Sequence, residues 1–302
     1  PVLVGLVSNW DRLSKRTQNT FSFLFSRPNT THSKISPGGR FKIHYNTNGP
    51  HGVDLTDENK NKVPDYVDET AKTFDSLWDL EINQLGYNPP PSDGDEFYDV
   101  YIQDLSGQSV YAFTYPEGPT SATSSYMEID NNYTDNIYHT RNLEALHVTA
   151  AHEFFHAIQF GYYSDFEAAW WQELTATWME EVAYNEVNDY YQYLTCKQSF
   201  SCFFDSPHIA LDNFNPFFSL RPFGASVFAI YLEQVYGRES IRKSWEILGD
   251  RQPSSFNLSD IDSGIPSGGF ASLMPRFTIW NYLTNTNYLP GYYPEGDHYP
   301  PI

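Results

Sequence analysis

A chain of 302 residues has room for one large domain or two lobes and can bury a sizeable core. Its net charge of -20 and pI near 4.6 argue against nucleic acid and anionic membrane surfaces as partners. No apolar run approaches the roughly 18 residues needed to span a bilayer.

Residues 1–40 are rich in Ser, Thr, Asn and Arg and contain Arg27-Pro28 and Pro37-Gly38-Gly39. They read as an irregular lead-in or the remnant of a propeptide, with one short helix near 11–17. Phe41-Lys-Ile-His-Tyr45 alternates as a half-buried strand does. In Asp57-Glu-Asn59-Lys-Asn61-Lys-Val63-Pro-Asp65-Tyr-Val-Asp68, oxygen side chains stand at calcium-loop spacing and Val63 offers a carbonyl. Lys62 replaces the usual glycine and Asp68 the bidentate glutamate, so the competing reading is an Asp/Asn-rich turn capping the next helix. Ca2+ is thus a second expected ion only if that loop closes around it.

Pro64 suits a first helical position, and Val67, Ala71, Phe74, Trp78, Ile82 and Leu85 form one apolar stripe closed by Gly86. Strands follow over 98–104, 110–115 and 125–130. Leu143 to Phe160 is then compatible with a helix that ends at Gly161. It contains His152-Glu153-Phe154-Phe155-His156. Two histidines four apart leave the same helical face and can grip one ion, and Glu153 beside the first can take a proton from bound water.

A third protein ligand is required. Gln159 and Tyr162 stand where a metzincin extension needs Gly and His, so a following helix must supply it. Glu167 comes too soon after the first helix to fold back. Glu180 shares a face with Glu173 and would stand behind the ligands, whereas Glu181 lies off that face and reads as solvated. Farther on, the stretch from Tyr190 to Phe218 looks loop-rich and carries His208, Cys196 and Cys202. Without a C-x-x-C pair, the cysteines read as a small disulfide of a secreted protein, with two unrelated buried thiols as the alternative. Helices are expected over 224–237, 240–249 and 270–283, and a Pro/Tyr-rich tail over 285–302 is either a surface wrap or a linker.

Trp170-Trp-Gln-Glu173-Leu-Thr-Ala-Thr-Trp-Met-Glu180 resembles the glutamate helix of gluzincins. Together with HEFFHAIQFGY it makes residues 41 to 284 similar to gluzincin-type zinc metallopeptidases, including secreted bacterial metalloproteases of that kind. The resemblance implies an α+β, zincin-like fold. An N-terminal lobe (41–162) would hold a mixed twisted sheet with backing and active-site helices, and a C-terminal lobe (163–284) would be mainly α-helical. It implies one catalytic Zn2+ on His152, His156 and Glu173, with Glu153 as general base. In zincins the last strand before the active helix is an edge that pairs with an extended substrate, a part that falls here to Met127, Glu128 and Ile129.

Met127-Glu128 also resembles the Gly-x-Met-Glu-Asn strand of gluzincin aminopeptidases, whose glutamate binds a free amine, but the glycine is missing and Ile129-Asp130 come before Asn131. The family's oxyanion tyrosine is absent too. Arg221 stands at its place, which leaves Arg221, His208 and Tyr231 as candidate donors. The expected function is a secreted or cell-surface zinc endopeptidase acting as a monomer on peptide or protein substrates. An aminopeptidase or small-peptide hydrolase, and a catalytically silent binding protein, are the alternatives.

Overall fold

Alternation sets the sheet. Phe41, Ile43 and Tyr45 of β2 (Phe41–Tyr45), Tyr98, Val100 and Ile102 of β3 (Tyr98–Gln103) and Met127 and Ile129 of β5 (Ser125–Asp130) share one buried face, as residues two apart on a strand must. The computed structural model describes residues 10–21, 26–118, 122–196, 202–213, 220–265 and 268–301. Parts of the expected lead-in (1–9, 22–25) and of the expected loop (197–201, 214–218) lie outside the described residues. With β1 (His32–Ile35) and β4 (Ala112–Pro116) the strands form one sheet in the order β1-β2-β3-β5-β4. β2, β3 and β5 run parallel, and β1 and β4 are antiparallel to their neighbours. The fold is α+β with a mixed five-stranded sheet.

α1 (Lys15–Phe21) follows a 3-10 turn at Trp10–Arg12, somewhat later than the expected helix. The parallel β2–β3 pair needs a crossover, which α2 (Asp65–Trp78) supplies. The expected stripe is present, but Asp79–Gln84 continues as π-helix before Gly86 ends it with φ of 77°. β1 was not anticipated, because its four residues are short, largely exposed and carry no alternation.

α3 (Asn142–Tyr162) lies on the sheet's buried face and is apolar nearly all round. Its Phe154 meets Phe41 at 5.2 Å, Trp78 at 6.0 Å and Tyr98 at 6.3 Å between ring centroids. Truncating such a ring costs about 3–5 kcal/mol, so Phe154 anchors the helix. Gly161 lies inside α3 rather than after it. A Cβ there would come within 3.1 Å of Pro91, so the glycine permits a close crossing instead of forming a cap.

α4 (Ala169–Ala183) packs antiparallel to α3, and its Trp171 donates from Nε1 to Ser244 Oγ at 3.1 Å. α5 (Arg221–Gly224), α6 (Ser226–Tyr236), α7 (Glu239–Arg251), α8 (Leu258–Asp262) and α9 (Phe270–Tyr282) complete the helical part. One hydrophobic cluster runs from Phe41 to Tyr299 through sheet and helices alike. The tail packs into it: Tyr293 and Tyr299 are buried, and the Tyr190 and Tyr299 hydroxyls are 2.7 Å apart. No helix of the described residues is long and apolar enough to cross a membrane.

Candidate metal centre

Helical spacing puts His152 and His156 on one side of α3, and the turn before α4 folds that helix back across them. Asp165 fixes the turn by accepting the Glu167 N–H. Glu173 Oε2 then lies 3.2 Å from His152 Nε2 and 3.4 Å from His156 Nε2. The three residues are buried, and one donor atom from each lies within 4.8 Å of the others.

Each ring is held from behind. His152 Nδ1 donates to Glu180 Oε1 at 2.7 Å, and His156 Nδ1 donates to Gln159 Oε1 at 2.8 Å. Gln159 is fixed in turn by donating to Gln172 O and Thr175 Oγ1, both at 3.0 Å. Hydrogens on Nδ1 leave the Nε2 atoms to face the shared point, the tautomer a metal ligand needs.

The charges make the same case. Burial alone would lower the His152 pKa, but Glu173 and Glu180 outweigh it and raise it well above the ordinary value. Burial would raise Glu173, yet His156 and His152 hold it well below the usual carboxylate range. The carboxylates therefore favour positive charge where the donors converge, whether a proton on His152 or an ion bound in its place supplies it. Two imidazoles and a carboxylate suit a divalent ion of the first transition row, and the group could hold one.

Glu153 sits beside this group. Thr114 Oγ1, on β4, donates to Glu153 Oε2 at 2.6 Å and approaches its carbonyl at 3.1 Å, and among the described residues Oε1 has no hydrogen bond. Nothing in the sequence singled out Thr114; knowing that β4 lies beside α3 would have done so. Phe223 stacks on His152 at 5.8 Å, and Tyr193 packs on Phe223 at 5.1 Å. Gly224 makes this approach feasible, since a Cβ there would fall 2.2 Å from Tyr193 O. Burial, with Asp189, Glu180 and Glu173 nearby, raises the Tyr193 pKa well above its ordinary value, so the phenol is a neutral donor. In the sequence it was one tyrosine among many in an aromatic loop.

The three expected oxyanion donors lie elsewhere. Arg221 is buried over the Phe203 ring and donates to Phe203 O at 3.1 Å, Ser206 O at 3.0 Å and Ile209 O at 2.5 Å. It ties down the loop after Cys202. His208 is exposed on that loop. Tyr231 is buried among Phe277, Trp280 and Phe228 in the helical core.

The edge-strand expectation is also corrected. β5 lies between β3 and β4, so Met127, Glu128 and Ile129 are in an interior strand and the edge is β4. Met127 and Ile129 are fully buried in the main core, whereas Glu128 points to the other face, level with Tyr101 and Phe113. That alternation also carries Glu128 away from the face on which Thr114 meets Glu153. Glu181 is buried rather than solvated, and burial, with Glu295 and Glu180 near, raises it to about 9. Cys196 and Cys202 form a disulfide.

In the Asp57–Asp68 loop, Asn59 Oδ1 and Asn61 Oδ1 accept the backbone N–H groups of Asn61 and Val63. Their Nδ2 atoms therefore turn to Asp68 Oδ2, at 3.0 and 2.5 Å, and Lys34 lies 3.6 Å from Asp68. Asp57 accepts from the Asn61 and Lys62 backbone, and Asp65 from Glu58. Lys62 occupies the glycine position with φ of 71°. The loop thus has its left-handed turn but is closed on itself through Asp68, and no side chain caps α2. No protein-family profile matches the chain, and no curated protein matches it.

Proposed function

We propose that this chain is a secreted zinc-dependent endopeptidase of gluzincin kind. The observation that carries the reading is the buried convergence of His152, His156 and Glu173 with Glu153 alongside. The mixed sheet, the crossover helix and the two helices bearing the donors support a zincin-like lobe, and the disulfide fits an oxidising compartment.

His152, His156 and Glu173 would hold the ion. When bound, zinc acidifies a water at its open position and draws electron density from a carbonyl oxygen. Thr114 keeps the Glu153 carboxylate still, and Glu153 Oε1 takes the proton of the attacking water and delivers it to the departing amine. Tyr193, a neutral phenol packed on the Phe223 ring that stacks on His152, would donate its hydroxyl hydrogen toward the carbonyl oxygen as negative charge develops. β4, next to Glu153 and the edge strand of the sheet among the described residues, would offer backbone groups to an extended substrate. An aminopeptidase needs an amine-binding acid near the scissile bond, and the orientation of Glu128 argues against that residue filling the role.

The test is metal content together with casein hydrolysis, for the wild type and Glu153→Gln. The expected result is one equivalent of zinc in both and cleavage only by the wild type. A wild-type protein that takes up no zinc, or a Glu153→Gln variant that cuts casein as well as wild type, would overturn the reading.

A further inference from the structure

The outer face of the sheet, opposite α3, carries Tyr101, Tyr115 and Tyr126 with Phe113 packed against them. One cation already lies there: the Arg27 guanidinium sits 5.3 Å from the Tyr126 ring centroid and pairs with Asp93, Asp99 and Glu117. Glu128 is on the same face, half-buried, level with Tyr101 on β3 and Phe113 on β4. Among the described residues it has no hydrogen bond or ion pair, and burial raises it to about 7. This is a carboxylate in an aromatic setting without a counter-charge.

Its position relative to the β4 edge gives it a use. A strand added to that edge would place the residue opposite Thr114 on the α3 side, beside Glu153. The next residue, opposite Phe113, must then point to the outer face. Strands lie about 4.8 Å apart, so that residue and Glu128 would be about 10 Å apart across Phe113. An extended lysine or arginine stem spans about 6 Å, and the glutamate side chain covers most of the remainder. The cation would pass over the Phe113 ring, a favourable setting for it.

We infer that Glu128 and Phe113 form a subsite selecting a lysine or arginine adjacent to the residue that faces Thr114, so that the substrates are basic peptides. The inference rests on the peptidase reading. A neutral side chain leaves Glu128 unpaired, and an acidic one meets like charge. The net charge of -20 acts in the same direction, drawing basic chains toward the molecule.

The experiment is digestion of casein by the full chain with cleavage sites mapped by mass spectrometry, followed by a matched peptide series in which the indicated position is Lys, norleucine or Glu. Wild type should cut where a basic residue occupies one fixed position near the bond and should rank Lys above norleucine above Glu. In Glu128→Gln, matched to wild type in melting temperature, the Lys-to-norleucine ratio of kcat/KM should fall about tenfold, mainly through KM. Cleavage without basic preference, or a preference that survives in Glu128→Gln, would overturn the inference and leave the peptidase reading standing. Casein left intact by zinc-loaded wild type would sink both. The wild-type series needs no variant, so a Glu128→Gln chain that misfolds does not remove the test.

Discussion

Replacing Arg221 by methionine separates the oxyanion role expected of it from the structural role that its carbonyl contacts indicate. Arg221 is 3% exposed, and its guanidinium makes three hydrogen bonds of 3.1 Å or less to the carbonyls of Phe203, Ser206 and Ile209. Hydrogen bonds to a charged group contribute about 1.5–3 kcal/mol each, but keeping a cation in this setting offsets part of the sum. Burial lowers the Arg221 pKa to about 10, the mark of that cost. The net loss on substitution should be about 3–5 kcal/mol, as when one partner of a buried charged cluster is removed. For a chain of 302 residues that lowers Tm by about 5–8 °C. Differential scanning fluorimetry gives Tm, and kcat is then measured at a temperature where the variant is fully folded. A structural residue gives a large fall in Tm with kcat within about tenfold of wild type. An unchanged Tm with kcat reduced more than about a hundredfold would mean that Arg221 acts on the substrate, and the assignment to the loop would be wrong.

Thr114→Val removes the hydroxyl that holds Glu153 while keeping the strand's shape, so kcat should drop about tenfold or more with zinc content unchanged; equal kcat would show that Glu153 needs no such support. Gln159→Leu takes away the acceptor behind His156 and should weaken zinc binding about 10–100-fold in a competitive chelator titration, an unchanged affinity counting against the ligand assignment. Removing the ion with a chelator should lower Tm, and added zinc should restore it, with a shift that grows with free zinc concentration. Glu81 is fully buried with both carboxylate oxygens unpartnered, and burial raises its pKa well above the ordinary value. Because the folded state holds this proton more tightly than the unfolded one, stability is fully present below the ordinary glutamate pKa and is lost as pH rises toward the folded value. Glu81→Gln should therefore lose less stability than wild type in urea titrations between pH 5 and pH 9; parallel pH profiles would count against a protonated Glu81.

The histidine pair was legible because it depends on short-range geometry, whereas Glu173 was singled out through the gluzincin resemblance. Four-residue spacing fixes His152 and His156 on one side of any helix, and the same rule puts Glu173 and Glu180 on one side of the next. What the sequence could not show is which strand lies outermost, since sheet order is a matter of long-range pairing. Ser125–Asp130 and Ala112–Pro116 read equally well as edge or interior. With the order unknown, Thr114 was one threonine among many and Glu128 could be assigned to either face. Arg221 was read only from standing at the place of the family's tyrosine, which says nothing about the carbonyls that the fold brings around it. Glu181 shows the limit of helical-face arguments, because the burial of this residue depends on segments far along the chain, Glu295 of the tail among its neighbours.

The arrangement also explains why the centre is built from α3 and α4 rather than from loops. Phe154 and Phe155, between the two histidines, point into the core, where Phe154 is ringed by Phe41, Trp78 and Tyr98 and Phe155 meets Tyr87 at 4.9 Å. The apolar pair therefore locks the rotation of α3, and the rotation of α3 sets the direction of both imidazoles. α4 is locked likewise through Trp171 on Ser244 and Trp178 on Glu233. Glu153, Glu173 and Glu180 are thereby held around two imidazoles in a buried space, where burial, with Asp189 and Glu153 near, raises Glu180 to about 7. A loop would relax away from such a cluster. Two helices fixed by aromatic packing cannot, so in the proposed centre the packing of the core would hold the donors ready for a cation and add to the strength of the metal site.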